Sequence, residues 1–193
     1  MACPAPTILS MIITLSGYPG SGKSTVARLL AERLGYKRYS MGDLRGKMAQ
    51  EHSMTIDEWN AHGEGNQETD VPIDEEQREL GKKEDNCIID GRLSWYFIPH
   101  SFKVFLDVDG KEGARRIFEH AKSGARKDEH TYTSAEEVAA WARARTASDN
   151  RRYQKYYGVT WDAPSNFDLV IDTTYTLPEV VAQLIIDKMA QKT

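Results

Sequence analysis

Apolar residues fall along this chain in short unbroken runs, separated by longer stretches of helical period. The runs are MIITLS (11–16), CIID (87–90), KVFLDV (103–108) and FDLVID (167–172). Each is short and lacks a period of 3.6, which predicts strands buried on both faces. Between them, helices are predicted over 43–51, 55–66, 74–84, 110–122, 134–157 and 178–191. In KSTVARLLAERLG, Val26, Leu29, Leu30 and Leu34 share one face of a further helix, with Gly35 as its C-terminal stop. Capping boxes at Thr55/Glu58, Asp109/Glu112, Ser134/Glu137 and Thr176/Glu179 mark four helix starts. Strands alternating with helices, each strand apolar throughout, predict an α/β fold with a parallel sheet covered on both faces. No internal repeat or low-complexity linker divides the 193 residues. We expect a single domain over 11–193, preceded by a flexible tail at 1–10.

Composition narrows the function classes. The formal net charge is −4, so a nucleic-acid partner gains no electrostatic support. No apolar run approaches the ~20 residues of a membrane span, and MACPAPTILS lacks the basic start and long apolar core of a signal peptide. Cys3 and Cys87 form no CxxC pair, which suits reduced thiols in a cytoplasm. The five histidines show no metal-ligand spacing.

The chemistry is concentrated in SGYPGSGKST (16–25), a G-x-x-x-x-G-K-[ST] match carried by Gly17, Gly22, Lys23 and Ser24. A strand before it and a helix after it supply the context in which backbone N–H groups wrap a polyphosphate. The loop residues Gly17, Tyr18, Pro19, Gly20, Ser21, Gly22, Lys23, Ser24 and Thr25 are therefore expected to bind ATP phosphates. Lys23 would neutralise the β- and γ-phosphates, and the Ser24 hydroxyl would ligate Mg²⁺. A glycine-rich turn with a surface lysine is the bland alternative, and it leaves the order of glycines, lysine and hydroxyls unexplained. Asp90 closes NCIID at the C-terminal edge of a buried strand, where open α/β sheets bind ligands. It is expected to hold magnesium directly or through water, or else merely to begin a D-G turn.

Arginines follow the strands. Arg92 lies two residues past Asp90, and Arg45 lies in SMGDLRG, on the helix just after the second candidate strand. Arg115 and Arg116 fall near the start of one helix, and Arg126 sits in AKSGARKDEH, a segment expected to be mobile. Arg143, Arg145, Arg151 and Arg152 share the helix that begins near 134, with Asp149 four residues after Arg145. Any one of them alone reads as a solvated side chain. Together they suit phosphoryl transfer, whose transition state spreads charge over several oxygens. Tyr153, Tyr156 and Tyr157 have the spacing of a packed helical stripe, and Trp59, Trp95, Trp141 and Trp161 read as core or hinge packing rather than base-stacking platforms.

The phosphate loop, IIDGRLS (88–94), KVFLDV (103–108) and R-x-x-S-D-N-R-R-Y (145–153) together resemble the cytidylate kinase family, in the short form common in archaea. The likeness runs from Met11 to about residue 190. The D-G-R element separates it from adenylate kinases, which carry D-G-F-P-R there. The resemblance implies a P-loop nucleoside monophosphate kinase fold: a five-stranded parallel sheet in three layers, a helical monophosphate-binding insert at about 41–85, and a lid at about 121–133. It implies transfer of the ATP γ-phosphoryl group to CMP or dCMP, and we expect a monomer. Ser40 and Arg45 would border the monophosphate, and Arg92 would grip its phosphate. Arg145 and Asp149 would face acceptor phosphate and sugar, Arg152 would bridge the two phosphates, Arg116 would lie beside adenine, and Arg126 would close from the lid. Ser148 and Asn150 stand where bacterial relatives often carry arginines, and the acidic insert offers no match for base-reading residues. A P-loop kinase with another small acceptor (another nucleotide, shikimate or dephospho-coenzyme A) is the alternative within enzymes. A nucleotide-dependent switch is the alternative outside them, but the chain lacks D-x-x-G after the second strand and N-K-x-D.

Overall fold

The computed structural model describes residues 11–123 and 132–191. Its centre is a five-stranded sheet of β1 (Ile12–Gly17), β2 (Lys37–Ser40), β3 (Cys87–Asp90), β4 (Phe102–Asp107) and β5 (Leu169–Asp172). Their order is β2-β3-β1-β4-β5, and all four pairings are parallel. The helices are α1 (Lys23–Leu34), α2 (Met41–Glu51), α3 (Ile56–Gly65), α4 (Val71–Lys83), α5 (Ser94–Phe97), α6 (Gly110–Lys122), α7 (Ala135–Tyr157) and α8 (Pro178–Ala190).

The period of two along a strand sorts side chains between two cores. Ile13, Leu15, Val104 and Leu106 pack with Val26, Leu30, Val181 and Ile185 of α1 and α8. Ile12, Ile89 and Phe105 face the opposite layer with Trp95, Phe97, Tyr153 and Trp161. Both faces of the sheet are thus covered, which gives a three-layer α/β architecture and explains why β1 and β3 read as unbroken apolar runs.

Of the four helix starts marked by capping boxes, three are capped as expected and one is not. Gly35 closes α1 at φ 67°, and Thr55 and Glu58 form a complete capping box on α3. Asp109 and Ser134 cap α6 and α7. Thr176 does not cap α8: that helix begins at Pro178 behind Leu177 with no side-chain cap. The Thr176 hydroxyl instead donates to the Asp172 carbonyl at 3.1 Å. Two further elements escape the apolar pattern. β2 is the polar sequence KRYS, an edge strand held by pairing with β3 and by Lys37 and Tyr39 bonding Glu84, and α5 is a single turn. Trp95 and Trp161 are buried in the second of these cores, and Trp59 is buried within the insert against the His52 ring. Residues 124–131, with Gly124 and Arg126 of the expected lid, lie outside the described residues, as does the tail at 1–10.

Candidate active site

The C-terminal ends of β1 and β3 lie side by side, Leu15 opposite Asp90, so the loop after β1 and the carboxylate closing β3 meet at one sheet edge. The loop requires its glycines. Gly20 adopts φ 79°, and a Cβ there would lie 2.2 Å from the Gly113 carbonyl oxygen on α6. Gly22, at φ 83°, is the N-cap of α1, so the first amides of that helix open toward the loop. Lys23 turns back over the loop and donates to the carbonyls of Gly17 at 2.8 Å and Tyr18 at 3.0 Å. Burial lowers its pKa to about 8; Asp90 opposes that shift, while the nearby Arg92 and Arg145 guanidiniums add to it. The Ser24 hydroxyl donates to Asp90 Oδ2 at 2.9 Å. Ser40, paired in register with Asp90 on β3, accepts from the Asp43 amide and caps α2.

Beyond Asp90 the chain turns through Gly91 to Arg92, whose carbonyl accepts from Ser16 Oγ at 3.0 Å. The Arg92 guanidinium lies over the Trp161 ring, 5.3 Å from its centroid, and pairs with Asp149. Asp149 is fully buried on α7. It also accepts from Arg152 Nη2 at 2.9 Å and from Arg145 Nε at 3.4 Å. A second carboxylate, Asp70, accepts from Arg45 Nη1 at 2.6 Å and lies 3.5 Å from Arg152 Nε. Four guanidiniums therefore gather around two carboxylates, leaving the cluster cationic. Burial lowers the pKa of Arg145 to about 9, and the Arg92, Arg45 and Arg152 guanidiniums add to that shift; burial also lowers the pKa of Arg92, with Arg152 and Arg45 adding to it. Such crowding is costly unless an anion completes it.

On the other side of the loop, a cavity of about 1070 Å³ runs from residues 20–25 between α6 and the segment 173–178. Arg116 forms one wall. It donates to the carbonyls of Thr173 and Thr174, both at 2.8 Å, and to Glu112 at 2.9 Å. Trp141 lines the far end and donates to the Asp57 carboxylate at 3.1 Å, joining α7 to α3. Among the described residues no group of three or more His, Cys, Asp or Glu side chains could hold a metal.

The structure thus brings together Lys23, Ser24, Asp90, Arg92, Arg145, Arg152 and Asp149, with Arg45 joined to them through Asp70. Arg116 lies on the other side of the loop, facing the cavity. Arg152, expected to bridge two phosphates, is 1% exposed and bonded to Asp149, Asn60 and Tyr153. Arg126 falls outside the described residues. Sequence reasoning missed Asp70 and Asn60, two buried polar residues in an insert whose acidic surface conceals them. It also missed the role of Trp161 as a floor beneath Arg92.

The sequence model of the cytidylate kinase-like family matches residues 12–175. The chain is 34% identical over 183 residues to a cytidylate kinase of Archaeoglobus fulgidus, covering 94% of this chain and 96% of that protein. It is 32% identical over 179 residues to a cytidylate kinase of Halobacterium salinarum, covering 92% and 88%. Among solved structures, shikimate kinase from Acinetobacter baumannii superposes with a TM-score of 0.62 over 96% of both chains, at 17% identity. At that identity the likeness concerns the fold alone. With a family match spanning most of the chain, and a phosphate loop, D-G-R turn and arginine helix gathered at one sheet edge, this protein belongs to the cytidylate kinase-like family.

Proposed function

We propose that this protein is an ATP-dependent nucleoside monophosphate kinase that moves the γ-phosphoryl group of ATP to CMP or dCMP, giving ADP and CDP or dCDP. The observation that carries this reading is the meeting of loop and arginines at one sheet edge: Ser24 bonds Asp90, Ser16 bonds the Arg92 carbonyl, and Arg92 and Arg145 share Asp149. A phosphate held by the loop and one held by the arginines would then face each other across Lys23. Relatives named cytidylate kinase do not favour acceptors such as shikimate or dephospho-coenzyme A, nor a switch protein.

No side chain need act as nucleophile. An oxygen of the acceptor phosphate attacks the γ-phosphorus in line, the bond to the β–γ bridging oxygen breaks, and ADP leaves. The protein positions and neutralises charge. Arg92 and Arg145 take the acceptor phosphate, Lys23 the donor phosphates, and Asp149 fixes the three guanidiniums that touch it. Arg116 lies where adenine would rest in the cavity, and Ser40 and Arg45 border the acceptor. Ser24 and Asp90 fit magnesium: a hydroxyl and a carboxylate, both hard oxygens, 2.9 Å apart at the head of α1. Mg²⁺ commonly takes only one or two protein ligands and completes its shell with phosphates and water. When bound it would neutralise charge on the β- and γ-oxygens.

We assign residues 41–85 as the acceptor-binding insert and 121–133, with Arg126, as the lid that excludes water. Cys87, a buried free thiol, suits a reducing compartment, and we place the enzyme in the cytoplasm as a monomer of pyrimidine nucleotide metabolism. A coupled ADP-release assay across CMP, dCMP, UMP, AMP and GMP tests the reading. CMP or dCMP should lead AMP and GMP in kcat/KM by at least about tenfold, the scale of one well-placed recognition contact. Equal use of AMP would reject the pyrimidine assignment while leaving a phosphate-loop kinase.

A further inference from the structure

The connector from α7 to β5, residues 158–168, is braced by its own hydrogen bonds. Gly158 closes α7 at φ 67°, and the Val159 amide still reaches the Tyr153 carbonyl at 3.4 Å. The Ala163 amide donates to the Thr160 carbonyl at 3.3 Å, and Asn166 Nδ2 donates to the same oxygen at 2.8 Å. Two successive residues within this turn, Trp161 and Asp162, contact different halves of the site.

Asp162 contacts the donor half. The Tyr18 hydroxyl of the phosphate loop donates to Asp162 Oδ2 at 2.9 Å. Burial, and then this bond, raises the Tyr18 pKa to about 12, so the hydroxyl keeps its proton and remains a donor. The Tyr18 amide donates to the Leu106 carbonyl at 3.3 Å, and its own carbonyl accepts from Lys23 Nζ at 3.0 Å. Holding Tyr18 at its ring therefore steadies the carbonyl on which Lys23 rests. Trp161 contacts the acceptor half, its ring lying under the Arg92 guanidinium. The same indole meets the Tyr18 ring at 5.7 Å and 81°, and the Phe105 ring at 5.9 Å. It is 0% exposed, and its Nε1 has no hydrogen-bond partner among the described residues, so ring contacts alone hold it. A side chain serving only core volume needs no aromatic face beneath a guanidinium, and a loop packed only by its ring needs no hydroxyl on Tyr18.

We propose that Trp161 and Asp162 are positioning residues for phosphoryl transfer, which together set the spacing between the phosphate held by the loop and the phosphate held by Arg92. This rests on the kinase reading above and deepens it. Asp162 acts through Tyr18 and Lys23, and Trp161 acts through Arg92. In-line transfer needs the attacking oxygen about 3–3.5 Å from the γ-phosphorus, and a misplacement of about 1 Å costs roughly a hundredfold in rate. Adjacent residues of one braced turn suit that requirement, because neither half of the site can shift without straining its link to the other. The connector leaves the end of α7, the helix that carries Arg145, Asp149 and Arg152, so it ties the loop to the arginine helix as well. Loosening it leaves both phosphate grips in place and spoils their alignment, so the loss falls on kcat rather than on either KM.

The test uses the full-length enzyme with MgATP and CMP, and reads Tm, kcat and both KM values. Tyr18→Phe and Asp162→Ala break the same hydrogen bond. Each should lower kcat by about tenfold with both KM values within about threefold, and the double variant should be no slower than the slower single one. Asp162→Asn keeps an accepting oxygen and should recover most of that loss. Trp161→Leu keeps apolar bulk without an aromatic face and should lower kcat by about tenfold, whereas Trp161→Phe should return to within about threefold of wild type. A role in packing alone would lower Tm in the Trp161 variants and leave kcat of the folded enzyme unchanged. Wild-type kcat in folded Tyr18→Phe and Asp162→Ala, or losses that multiply in the double variant, overturns the proposal. Equal kcat losses in Trp161→Leu and Trp161→Phe overturn the part played by the ring. If Trp161→Leu fails to fold, the Tyr18–Asp162 cycle decides. Wild-type enzyme that phosphorylates another monophosphate and not CMP overturns the acceptor reading alone, and the same variants then test this proposal with that acceptor. Wild-type enzyme that phosphorylates none overturns both.

Discussion

Replacing Arg92 by lysine keeps the charge and removes the plane. The Arg92 guanidinium is stacked 5.3 Å from the Trp161 ring centroid and paired with the buried Asp149, so its orientation is fixed before any acceptor arrives. A planar fork gives a phosphate two parallel charge-assisted hydrogen bonds, and an ammonium at the same point gives one direction at a time. Losing one such bond costs about 1.5–3 kcal/mol. Losing the stack on Trp161 adds about 0.5–1 kcal/mol. The sum, roughly 2–4 kcal/mol, corresponds to a fall of about 30-fold to 1000-fold in kcat/KM for CMP. The donor side rests on the loop 17–25 and on Arg116, so KM for ATP should stay within about threefold. Steady-state kinetics with each substrate varied in turn separates the two. A defect confined to ATP, or a variant with wild-type CMP kinetics, would refute the placement of Arg92 on the acceptor phosphate.

Three further outcomes follow from other parts of the site. Lys23→Ala should leave the melting temperature near wild type, because the hydrogen bonds of its ammonium go to the loop carbonyls of Gly17 and Tyr18 and not to the core. It should reduce kcat by about a hundredfold or more, and near-normal turnover would contradict the loop assignment. Asp90→Asn should raise the magnesium concentration needed for half-maximal rate by about tenfold, since it weakens the carboxylate of the Ser24–Asp90 pair; an unchanged magnesium titration would remove Asp90 from the metal site. Asp74, buried on α4 and bonded by the Tyr157 hydroxyl at 2.5 Å, has its pKa raised to about 6, chiefly by burial. Its folded value lies above the unfolded one, so its stabilising contribution is full below about pH 4 and is lost as pH rises through about 6, at most about 3 kcal/mol. Asp74→Asn should flatten the melting-temperature profile between about pH 4 and 7, and parallel profiles for variant and wild type would count against it.

The legible parts of this molecule are those in which one physical cause dominates. β1 and β3 are buried on both faces, so their sequences are uninterrupted apolar runs that nothing else explains. The phosphate loop is legible because positive φ at Gly20 and Gly22 and the contact of Gly20 with Gly113 leave few choices of residue. β2 was not marked by apolar pattern, because an edge strand formed by KRYS owes its place to pairing and to Glu84. Thr176/Glu179 has the letters of a capping box, yet Pro178 fixes the first helical residue two positions later. In the site, Arg92 was legible as an arginine just past a strand end, while Arg145 and Arg152 were legible as arginines of the long helix from 134 and gained their roles from the family resemblance. Their common partner, Asp149, followed from its helical spacing to Arg145. Asp70 and Asn60 were not, since what makes them part of the site is burial against Arg45 and Arg152, a consequence of how three helices converge rather than of any local pattern.

The central claim is that the γ-phosphoryl group passes to the pyrimidine monophosphate rather than to water. ATP labelled in its γ-phosphate with ³²P, incubated with enzyme, magnesium and CMP, tests it in one step by separating the labelled products. The label should appear in CDP, in amount equal to the ADP formed, and inorganic phosphate should stay at the level without enzyme. Label released as inorganic phosphate, or ADP formation that does not depend on CMP, would contradict the account.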